Sequence, residues 1–314
     1  MSKYVYGIDI GGTNIKFGLF LLPDMKLVYT YESETPQDNQ KKSIFEKVAI
    51  SINVINEINH ITLDNIIGIG IAIPCPVKND YVEHCSNLNW QHMQISKLLN
   101  KYLPSHIMVA VSNDATIAAL GESKSFEKPY NSVVFYTLGT GVGGGIIIDG
   151  KILEGHTGFG GEIGHMHVSD EPTDRICGCG SKGCLEQVCG TEAIFRYTRE
   201  LAKEDETIIN LNELTVKNVF NAAKSGDRIG LKVVNKVAEY VAISASVLAV
   251  VLDPEVFIIG GGISNAGDFL LDLIVQHYQK HARFSTYKIP FILARSGNNA
   301  GFIGAAHLIK NKLM

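Results

Sequence analysis

The sequence contains two copies of one pattern, in which a glycine-rich turn joins two short apolar runs. The copies are YVYGIDIGGTNIKFGLFLL at 4–22 and VVFYTLGTGVGGGIIIDG at 133–150. Short apolar runs on both sides of a glycine turn predict β-hairpins. Helices and further strands are predicted after each copy, which is typical of α/β proteins. We therefore expect two similar α/β domains around a central cleft, although two such turns could also coincide by chance.

The alternation of strands and helices sets the predicted domain boundaries. We expect a smaller N-terminal α/β domain over 1–118 and a larger C-terminal domain over 119–300, with a closing helix, 301–314, that packs back on the first domain. Periodicity and turn residues predict the following further elements: helices near 40–59, 115–121, 191–204, 231–251 and 268–283, and strands at 66–74, 106–114, 255–259 and 289–294.

Charge and hydropathy narrow the class of protein. The net charge is −4 over 314 residues, which gives no electrostatic reason to expect a nucleic acid or an anionic membrane as partner. The longest apolar stretch, VAISASVLAVVL at 241–252, is shorter than the roughly 18 residues that a membrane span requires. We see no secretory signal pattern before the first strand. We expect a cytoplasmic protein, in which clustered cysteines bind metal more often than they form disulfides.

Three glycine-rich turns follow apolar strands and are candidate phosphate sites: 9–14, 138–145 and 259–264. Successive backbone N–H groups without side chains can converge on phosphate oxygens. None of the turns has the G-x-x-x-x-G-K-[ST] pattern of a P-loop. The G-x-G-x-x-G pattern at 139–144 leads into a predicted strand, whereas a dinucleotide fingerprint opens a helix, so we exclude an NAD site.

Asp9 ends the first predicted strand, beside Gly11, Gly12 and Thr13. A carboxylate repels phosphate unless a cation lies between them. Mg²⁺ suits this position, because it binds through one or two carboxylates, waters and nucleotide phosphates. The alternative is that Asp9 only caps the turn, and the residues alone leave both interpretations open.

Four of the six cysteines lie within 177–190, CGCGSKGCLEQVCG. Cys177, Cys179 and Cys184 form C-x-C-x₄-C with glycines between them, and His165 lies upstream. Three thiolates and one imidazole make the closed tetrahedral set of a structural zinc site. The alternative is that the cysteines are small buried apolar residues. We predict zinc at Cys177, Cys179, Cys184 and His165, and a packed thiol at Cys189.

Six motifs together resemble those of the ROK family of sugar kinases and repressors. They are DIGGTNIKFGLF (9–20), SNDATIAALGE (112–122), LGTGVGGGIIIDG (138–150), GGEIGHM (160–166), CGCGSKGCLE (177–186) and DPEVFIIGGGIS (253–264). The resemblance extends over nearly the whole chain. It implies an actin-like ATPase (ribonuclease H-like) fold and phosphorylation of a hexose by ATP with Mg²⁺. Repressors of the family carry an additional N-terminal DNA-binding domain, and only eight residues precede Asp9, so we expect an enzyme.

The resemblance also implies roles for individual residues. Asp114 would be the general base that removes the proton of the sugar hydroxyl, and Asn113 would bind sugar hydroxyls. From the residues alone, Asp114 is more typical of a helix N-cap, and Glu186 of a solvated helix start. The other implied sugar ligands are Asn87, Glu162, His165 and Glu186. The implied nucleotide ligands are Asp9, Gly11, Gly12, Thr13, Lys16, Gly139, Thr140, Gly141, Gly261 and Gly262.

Within such a family we expect a glucokinase that acts on the 6-hydroxyl of glucose and forms a homodimer. Kinases for N-acetylmannosamine, N-acetylglucosamine or allose are alternatives, as is a sugar-sensing regulator without kinase activity. Two departures bear on the sugar. Cys75 lies in PCP (74–76), where the family often has Pro-Gly-Pro, and Thr116 stands where many members have Asn. We interpret Cys75 as an ordinary buried residue.

Overall fold

The computed structural model describes residues 2–37, 41–85, 88–170 and 175–314, and every structural statement below refers to them. The chain divides into two compact units. Unit 1 comprises Met1–Pro129, Asp149–Gly160 and Asn298–Met314, and unit 2 comprises Tyr130–Ile148 and Gly161–Gly297. The first division lies at 129/130 rather than at the predicted 118/119, because residue 118 is inside a helix that packs within unit 1.

Unit 1 is built on a mixed sheet with helices on both faces. Elements are numbered along the whole chain. The strands of this unit are β1 (Tyr4–Ile10), β2 (Asn14–Leu21), β3 (Lys26–Glu34), β4 (Ile66–Ile73), β5 (Tyr81–Cys85), β6 (Trp90–Gln94), β7 (Met108–Asn113) and β10 (Lys151–Ile152). Its helices are α1 (Lys41–Ile58), α2 (Ile95–Leu99), α3 (Asp114–Lys124) and α9 (Ala300–Leu313).

The main sheet of unit 1 has the order β3-β2-β1-β4-β7. The first three strands are antiparallel to one another, whereas β1, β4 and β7 run parallel. The carboxyl ends of parallel strands share one edge of a sheet, which is where α/β folds bind ligands. That edge brings Asp9, near the end of β1, to the same side as Asn113 and Asp114 at the end of β7.

Helices cover both faces of this sheet. Buried Tyr6 and Ile8 of β1 belong to one apolar cluster with Phe45 and Ile52 of α1. On the other face, α9 packs against β1 and β4. Glycines permit this close approach, because a Cβ on Gly7 or Gly70 would collide with the backbone of α9. The closing helix therefore reaches the edge that carries Asp9.

A disulfide joins Cys75, which follows β4, to Cys85, the last residue of β5. Their Cα atoms are 5.1 Å apart, and both side chains are buried. The interpretation of Cys75 as an ordinary buried residue is therefore wrong. Strand β5 returns the chain to the end of β4 ten residues after Cys75, and the spacing alone did not reveal that return.

Unit 2 repeats this organisation. Its strands are β8 (Val133–Leu138), β9 (Val142–Ile148), β11 (Val256–Gly260) and β12 (Phe291–Leu293). Its helices are α4 (Leu185–Cys189), α5 (Thr191–Leu201), α6 (Val216–Lys224), α7 (Arg228–Leu252) and α8 (Asp268–His281). β8 and β9 form an antiparallel hairpin, and β8, β11 and β12 run parallel. Each unit thus has a glycine-turned hairpin followed by two parallel strands, as the repeat in the sequence predicts.

Helix α7 is the centre of the helical layer in unit 2, where it contacts α5, α6 and α8. It begins where the Asp227 carboxylate accepts a hydrogen bond from the Gly230 N–H (2.7 Å). By length and composition it could cross a membrane, which corrects the expectation that its apolar stretch is too short. Most of its apolar side chains, among them Val237 and Val241, are fully buried in unit 2, as in the core helix of a globular unit.

Candidate active site

Two carboxylates, those of Asp9 and Asp114, lie at the edge of the unit 1 sheet where the parallel strands end, and we call them the acid pair. Asp9 is largely buried, and burial together with the nearby charge of Asp114 raises its pKa from 3.8 to about 6, although Lys16 opposes the shift. The side chain also lies against the first turn of α9, because a Cβ on Gly301 would collide with its carboxylate. A helix N-terminus and a lysine partly offset the charge of the acid pair, which remains suited to a cation.

Asp114 is the first residue of α3 rather than its N-cap. The cap is Asn113, whose Oδ1 accepts a hydrogen bond from the Thr116 N–H (3.1 Å). The Asp114 carboxylate accepts a hydrogen bond from the Ala115 N–H (2.7 Å). Because the cap role falls to Asn113, the Asp114 carboxylate can serve another purpose. The amide nitrogen of Asn113 is the group that could donate to a sugar hydroxyl.

The turn after β1 is held by backbone contacts and leaves one side open. The Gly11 N–H donates to the Asn14 carbonyl (2.9 Å), and the Thr35 N–H donates to the Thr13 carbonyl (2.7 Å). Neither Gly11 nor Gly12 has a positive φ, so a turn conformation does not require these glycines. A Cβ on Gly12 would have nothing within 4 Å. The open space at Gly12 fits a ligand that approaches the backbone closely.

Lys16 lies opposite Asp9 in the β1–β2 register. Its ammonium donates to the carbonyl of Asn298 (3.3 Å), at the segment that leads into α9. The side chain is therefore held at the same edge as the acid pair. It is a cation that could contact a phosphate there, as the resemblance implies.

Unit 2 contains a cavity of about 700 Å³ that is lined by two of its glycine turns and by α6. The turns contribute Gly139, Thr140 and Gly262. A Cβ on Gly139 or Gly262 would have nothing within 4 Å, as at Gly12. The cavity therefore has backbone donors that phosphates can approach, next to a wider space.

The α6 side of this cavity was missed by the sequence analysis. Phe220, Lys217 and Asn221 line it, together with Lys224, whose ammonium donates to the carbonyl of Ala266 (2.8 Å). An apolar ring with polar neighbours suits a nucleotide base. The signal that could have found this helix is Thr215, an N-cap that accepts from the Asn218 N–H (3.1 Å), before apolar residues at helical spacing.

The fold itself requires glycine at two other positions in these turns, Gly261 and Gly141. Gly261 has a φ of 83° and approaches the backbone of Leu138. A Cβ on Gly141 would collide with the carboxylate of Glu186. Oε2 of that carboxylate also accepts a hydrogen bond from the Val142 N–H (3.4 Å). Glu186 is therefore packed against the glycine turn between β8 and β9 rather than exposed as a solvated helix start.

The structure brings the four predicted metal ligands together. One ligand atom from each of His165, Cys177, Cys179 and Cys184 lies within 4.8 Å of the others. The sulfurs of Cys179 and Cys184 are 3.6 Å apart, and the Cys177 sulfur is 3.3 Å from His165 Nδ1. The edges of a tetrahedron with metal–sulfur bonds of about 2.3 Å measure about 3.8 Å. The donor set and its spacing therefore fit a tetrahedral metal ion.

Burial affects the protonation of these thiols. It raises the pKa of the Cys184 thiol to about 12, and it also raises that of Cys177. Without a cation both thiols are therefore protonated near neutral pH, and a metal would displace their protons. Cys189 is fully buried in α4 and its thiol contacts the Val237 carbonyl (3.5 Å), so it is the packed thiol that we predicted.

The candidate sugar ligands of unit 2 surround this cluster. Glu162 directly precedes the short turn that carries His165, and the Glu162 carbonyl accepts from the His165 N–H (3.1 Å). Glu186 Oε1 lies 3.8 Å from the Cys177 sulfur. A metal bound here would fix the backbone that positions both carboxylates. The prediction for Asn87 lies outside the described residues.

Comparisons with known proteins show the family to which the chain belongs. The ROK family model matches residues 5–312. A glucokinase from Halalkalibacterium halodurans is 36% identical over 99% of this chain and 96% of its own length. An N-acetylmannosamine kinase from Vibrio cholerae is 31% identical over 96% of this chain and 98% of its own. The structure resembles that of a ROK family glucokinase from Streptomyces griseus in complex with glucose and AMPPNP, with a TM-score of 0.74 and 28% identity over 98% and 99% of the two chains. This chain therefore belongs to the ROK family and has its actin-like ATPase fold.

Proposed function

We propose that the protein transfers the γ-phosphoryl group of ATP to the 6-hydroxyl of glucose, with Asp114 as the general base. The observation that carries this proposal is the acid pair of unit 1. Asp114 opens α3 at the carboxyl edge of the sheet, and its charge contributes to the raised pKa of Asp9. The similarity to glucokinases over almost the whole chain supports glucose as the substrate.

Phosphoryl transfer depends mainly on positioning and on charge stabilisation, with a carboxylate that orients the attacking hydroxyl. Asp114 would accept the proton of the 6-hydroxyl as the oxygen attacks phosphorus. Asn113 holds the start of α3 through its cap, and this fixes the backbone from which the Asp114 carboxylate projects. Its amide nitrogen would donate to a neighbouring sugar hydroxyl.

The glycine turns and the cavity of unit 2 support ATP as the phosphoryl donor. The adenine base of ATP would occupy the side of the cavity formed by Phe220, and the backbone at Gly139 and Gly262 would contact phosphates. In unit 1, Gly12 offers a similarly open backbone. Asp9 would hold Mg²⁺, which supplies positive charge to the phosphates during transfer.

We further propose that the cluster of His165, Cys177, Cys179 and Cys184 holds zinc. Four protein ligands would complete its coordination, so the ion would have a structural role rather than activate water. Bound through Nδ1, His165 would keep Nε2 for a sugar hydroxyl. Glu162 and Glu186, which flank the cluster, would accept hydrogen bonds from other hydroxyls.

A panel of sugars with ATP tests the substrate directly. We expect the highest kcat/KM with glucose and formation of the 6-phosphate. A preference for N-acetylmannosamine would assign the second candidate, which the similarity to an N-acetylmannosamine kinase favours. Tight sugar binding without phosphorylation of any hexose would contradict an enzyme and indicate a sugar-sensing regulator.

The proposal includes a cytoplasmic homodimer. Val247, Val250 and Val251 of α7 are 49%, 51% and 71% exposed, and a second copy of this chain could cover such an apolar stripe. Sedimentation equilibrium of the wild-type protein and of a Val247→Glu, Val251→Glu variant tests this point. A dimer that becomes monomeric in the variant is expected, whereas a monomeric wild-type protein would contradict the proposal.

A further inference from the structure

The disulfide of unit 1 connects the catalytic edge of the sheet to a two-stranded ribbon, β5–β6. Cys75 lies two residues beyond Ile73, and Ile73 is the register partner of Asn113, the N-cap of α3. The Cys75 N–H donates to the Ile73 carbonyl (2.8 Å), so the cysteine is held at the end of β4. Neighbouring strands are about 4.8 Å apart, which places this backbone beside the start of α3.

The other end of the bond closes the ribbon onto that edge. Cys85 is the last residue of β5, and its sulfur lies 3.4 Å from the Pro74 carbonyl oxygen. The start of the ribbon is attached independently. Lys78 and Tyr81 exchange two backbone hydrogen bonds (3.0 and 2.9 Å), and the Asp80 carboxylate accepts from the Ser96 N–H (3.0 Å). Loss of the disulfide would therefore free the Cys85 end without detaching the ribbon.

We propose that Cys75 and Cys85 form a redox-responsive pair that positions the sugar-binding edge of unit 1. The inference rests on the proposed hexose kinase function. When the bond is formed, the ribbon is held against the end of β4, beside Asn113 and Asp114, and sugar binds to a pre-ordered edge. When the bond is reduced, sugar binding must order the ribbon, which weakens affinity. Both cysteines are positioning residues.

Thiol–disulfide exchange with a dithiol supplies the chemistry. Both cysteines are buried, so exchange takes place when the ribbon opens locally. A thiolate of the reductant then attacks one sulfur of the pair, the protein S–S bond breaks, and its electron pair passes to the leaving sulfur, which takes up a proton. The second thiol of the reductant then attacks the mixed disulfide and releases the other protein sulfur as a thiol. The protein gains two electrons and two protons, and the dithiol becomes a cyclic disulfide. A disulfide oxidant reverses the process.

Linkage gives this proposal a reciprocal consequence. If reduction weakens glucose binding by a given factor, saturating glucose must shift the exchange equilibrium toward the disulfide by the same factor. The two measurements are independent, because one follows sugar and the other follows the bond.

The only tryptophan of the chain reports on the bond. Trp90 is the register partner of Cys85 across β5 and β6. Side chains directly opposite each other in antiparallel strands are neighbours on one face. A disulfide quenches nearby indole fluorescence, so Trp90 emission should rise when the bond is reduced, whether or not the protein phosphorylates any sugar.

The experiment compares oxidised and reduced wild-type protein with a Cys75→Ala, Cys85→Ala variant and a Cys189→Ala control. A non-chelating phosphine is used as the reductant in the kinetic measurements, and bound metal is measured in each state to separate this pair from the cysteine cluster. Trypsin cleaves after Lys78, which lies between the two cysteines. Disulfide-linked peptides 48–78 and 79–97 therefore identify the bond by mass spectrometry.

We expect reduction to raise the KM for glucose by at least about fivefold, with kcat nearly unchanged and metal content constant. Trp90 emission should increase, and saturating glucose should shift a dithiol titration toward the disulfide by a matching factor. The double variant should have the high KM in both states, whereas the control should respond like the wild type. Equal KM values in the two states of the wild type, a persistent response in the double variant, or the absence of linked peptides would overturn the proposal. A protein that phosphorylates no hexose would refute the proposed function instead, and the peptide and fluorescence results would still decide whether the pair forms.

Discussion

The two glycine-turned hairpins have the same backbone plan but carry different side chains at the turn. In unit 1, Asp9 of β1 lies opposite Lys16 of β2. In unit 2, Thr137 of β8 occupies the corresponding place and lies opposite Gly143 of β9. The first hairpin therefore places charged side chains beside its turn, whereas the second has uncharged residues there. Under the proposed function, the same element would hold a cation in one unit and would contact phosphates in the other.

The candidate sites of the two units also differ in what holds their side chains in place. In unit 1, the carboxylates sit among a sheet edge, a helix start and the α9 terminus, all held by the core of the unit. In unit 2, the candidate sugar ligands lie in a loop (Glu162) and in the short helix α4 (Glu186), around the four candidate metal ligands. Loops lack the restraint of a packed sheet, and a metal ion can supply it. Unit 1 should therefore tolerate loss of metal, whereas the site of unit 2 should not.

The largest effect is expected for Asp114→Ala, which removes the proposed base. We expect kcat to fall at least about 100-fold, the usual scale of acid–base assistance, with glucose and ATP binding nearly unchanged. Asp24→Asn, in an exposed turn of the same unit, is the control and should behave as the wild type. Near-normal turnover of Asp114→Ala would contradict the view that unit 1 supplies the catalytic base whereas unit 2 mainly binds the substrates.

The next effect concerns the metal loop of unit 2. Cys177→Ser, Cys179→Ser and Cys184→Ser should each lose zinc and raise the KM for glucose roughly 30-fold, within the 10- to 100-fold range seen when metal-site support is lost. Metal content is measured by elemental analysis and affinity by steady-state kinetics. Cys189→Ala removes a buried thiol of the same unit that is not among the ligands, and should keep the zinc. A zinc-free variant with unchanged glucose affinity would contradict the support role of the metal.

A smaller effect is expected on stability when Asp9 is neutralised. Burial and Asp114 raise its pKa to about 6, so between its ordinary pKa and about 6 the folded state binds a proton that the unfolded state releases. The free energy of unfolding therefore falls as pH rises through this window, and the loss remains above it. Asp9→Asn should raise the free energy of unfolding by about 1.5 kcal/mol at pH 7.5, about half of the roughly 3 kcal/mol that the full pKa shift would give, because solvent reaches part of the side chain.

Urea unfolding at two pH values tests that prediction. At pH 4 the stabilisation by Asp9→Asn should fall to a small fraction of that value, because Asp9 is then protonated in the folded state and about 40% protonated in the unfolded state. Activity should fall although stability rises, since the proposed Mg²⁺ ligand is lost. An equal gain at both pH values would show that charge is not the cause.

The smallest effect is expected at the open glycines that the two hairpins share. Gly12→Ala and Gly139→Ala add a methyl group where the fold leaves space. We expect unchanged Tm values and a rise in the KM for ATP of roughly fivefold. The added methyl group would crowd a bound phosphate, and such overpacking costs about 1 kcal/mol. Thermal denaturation and kinetics give the two readouts. An unchanged KM at either position would mean that its turn does not contact the nucleotide.

The repeat and the four candidate metal ligands were predicted because each depends on local pattern, whereas the role of Asp114 came from the resemblance to the ROK family and the residues alone left the role of Asp9 open. The two hairpins are short apolar runs around glycines, and the C-x-C-x₄-C spacing brings sulfurs together within one loop. Local reasoning placed Asp114 at the start of α3 but favoured it as the N-cap, which is wrong because the cap is Asn113.

Contacts between distant segments were not predictable in this way. The Cys75–Cys85 bond depends on where the β5–β6 hairpin returns, and the α6 wall of the cavity depends on the packing of unit 2. The open space at Gly12 and the true reason for Gly141, contact with Glu186, are likewise tertiary features. Sequence shows that a glycine is present, whereas only packing shows what its missing side chain makes room for.

A crystal structure with glucose and a non-hydrolysable ATP analogue tests the central claim most directly. We predict the glucose 6-hydroxyl oxygen within hydrogen-bond distance of the Asp114 carboxylate, about 2.6–3.2 Å, and the triphosphate along the glycine turns. A glucose bound with its 6-hydroxyl beyond the reach of Asp114, or a nucleotide bound away from those turns, would contradict the account.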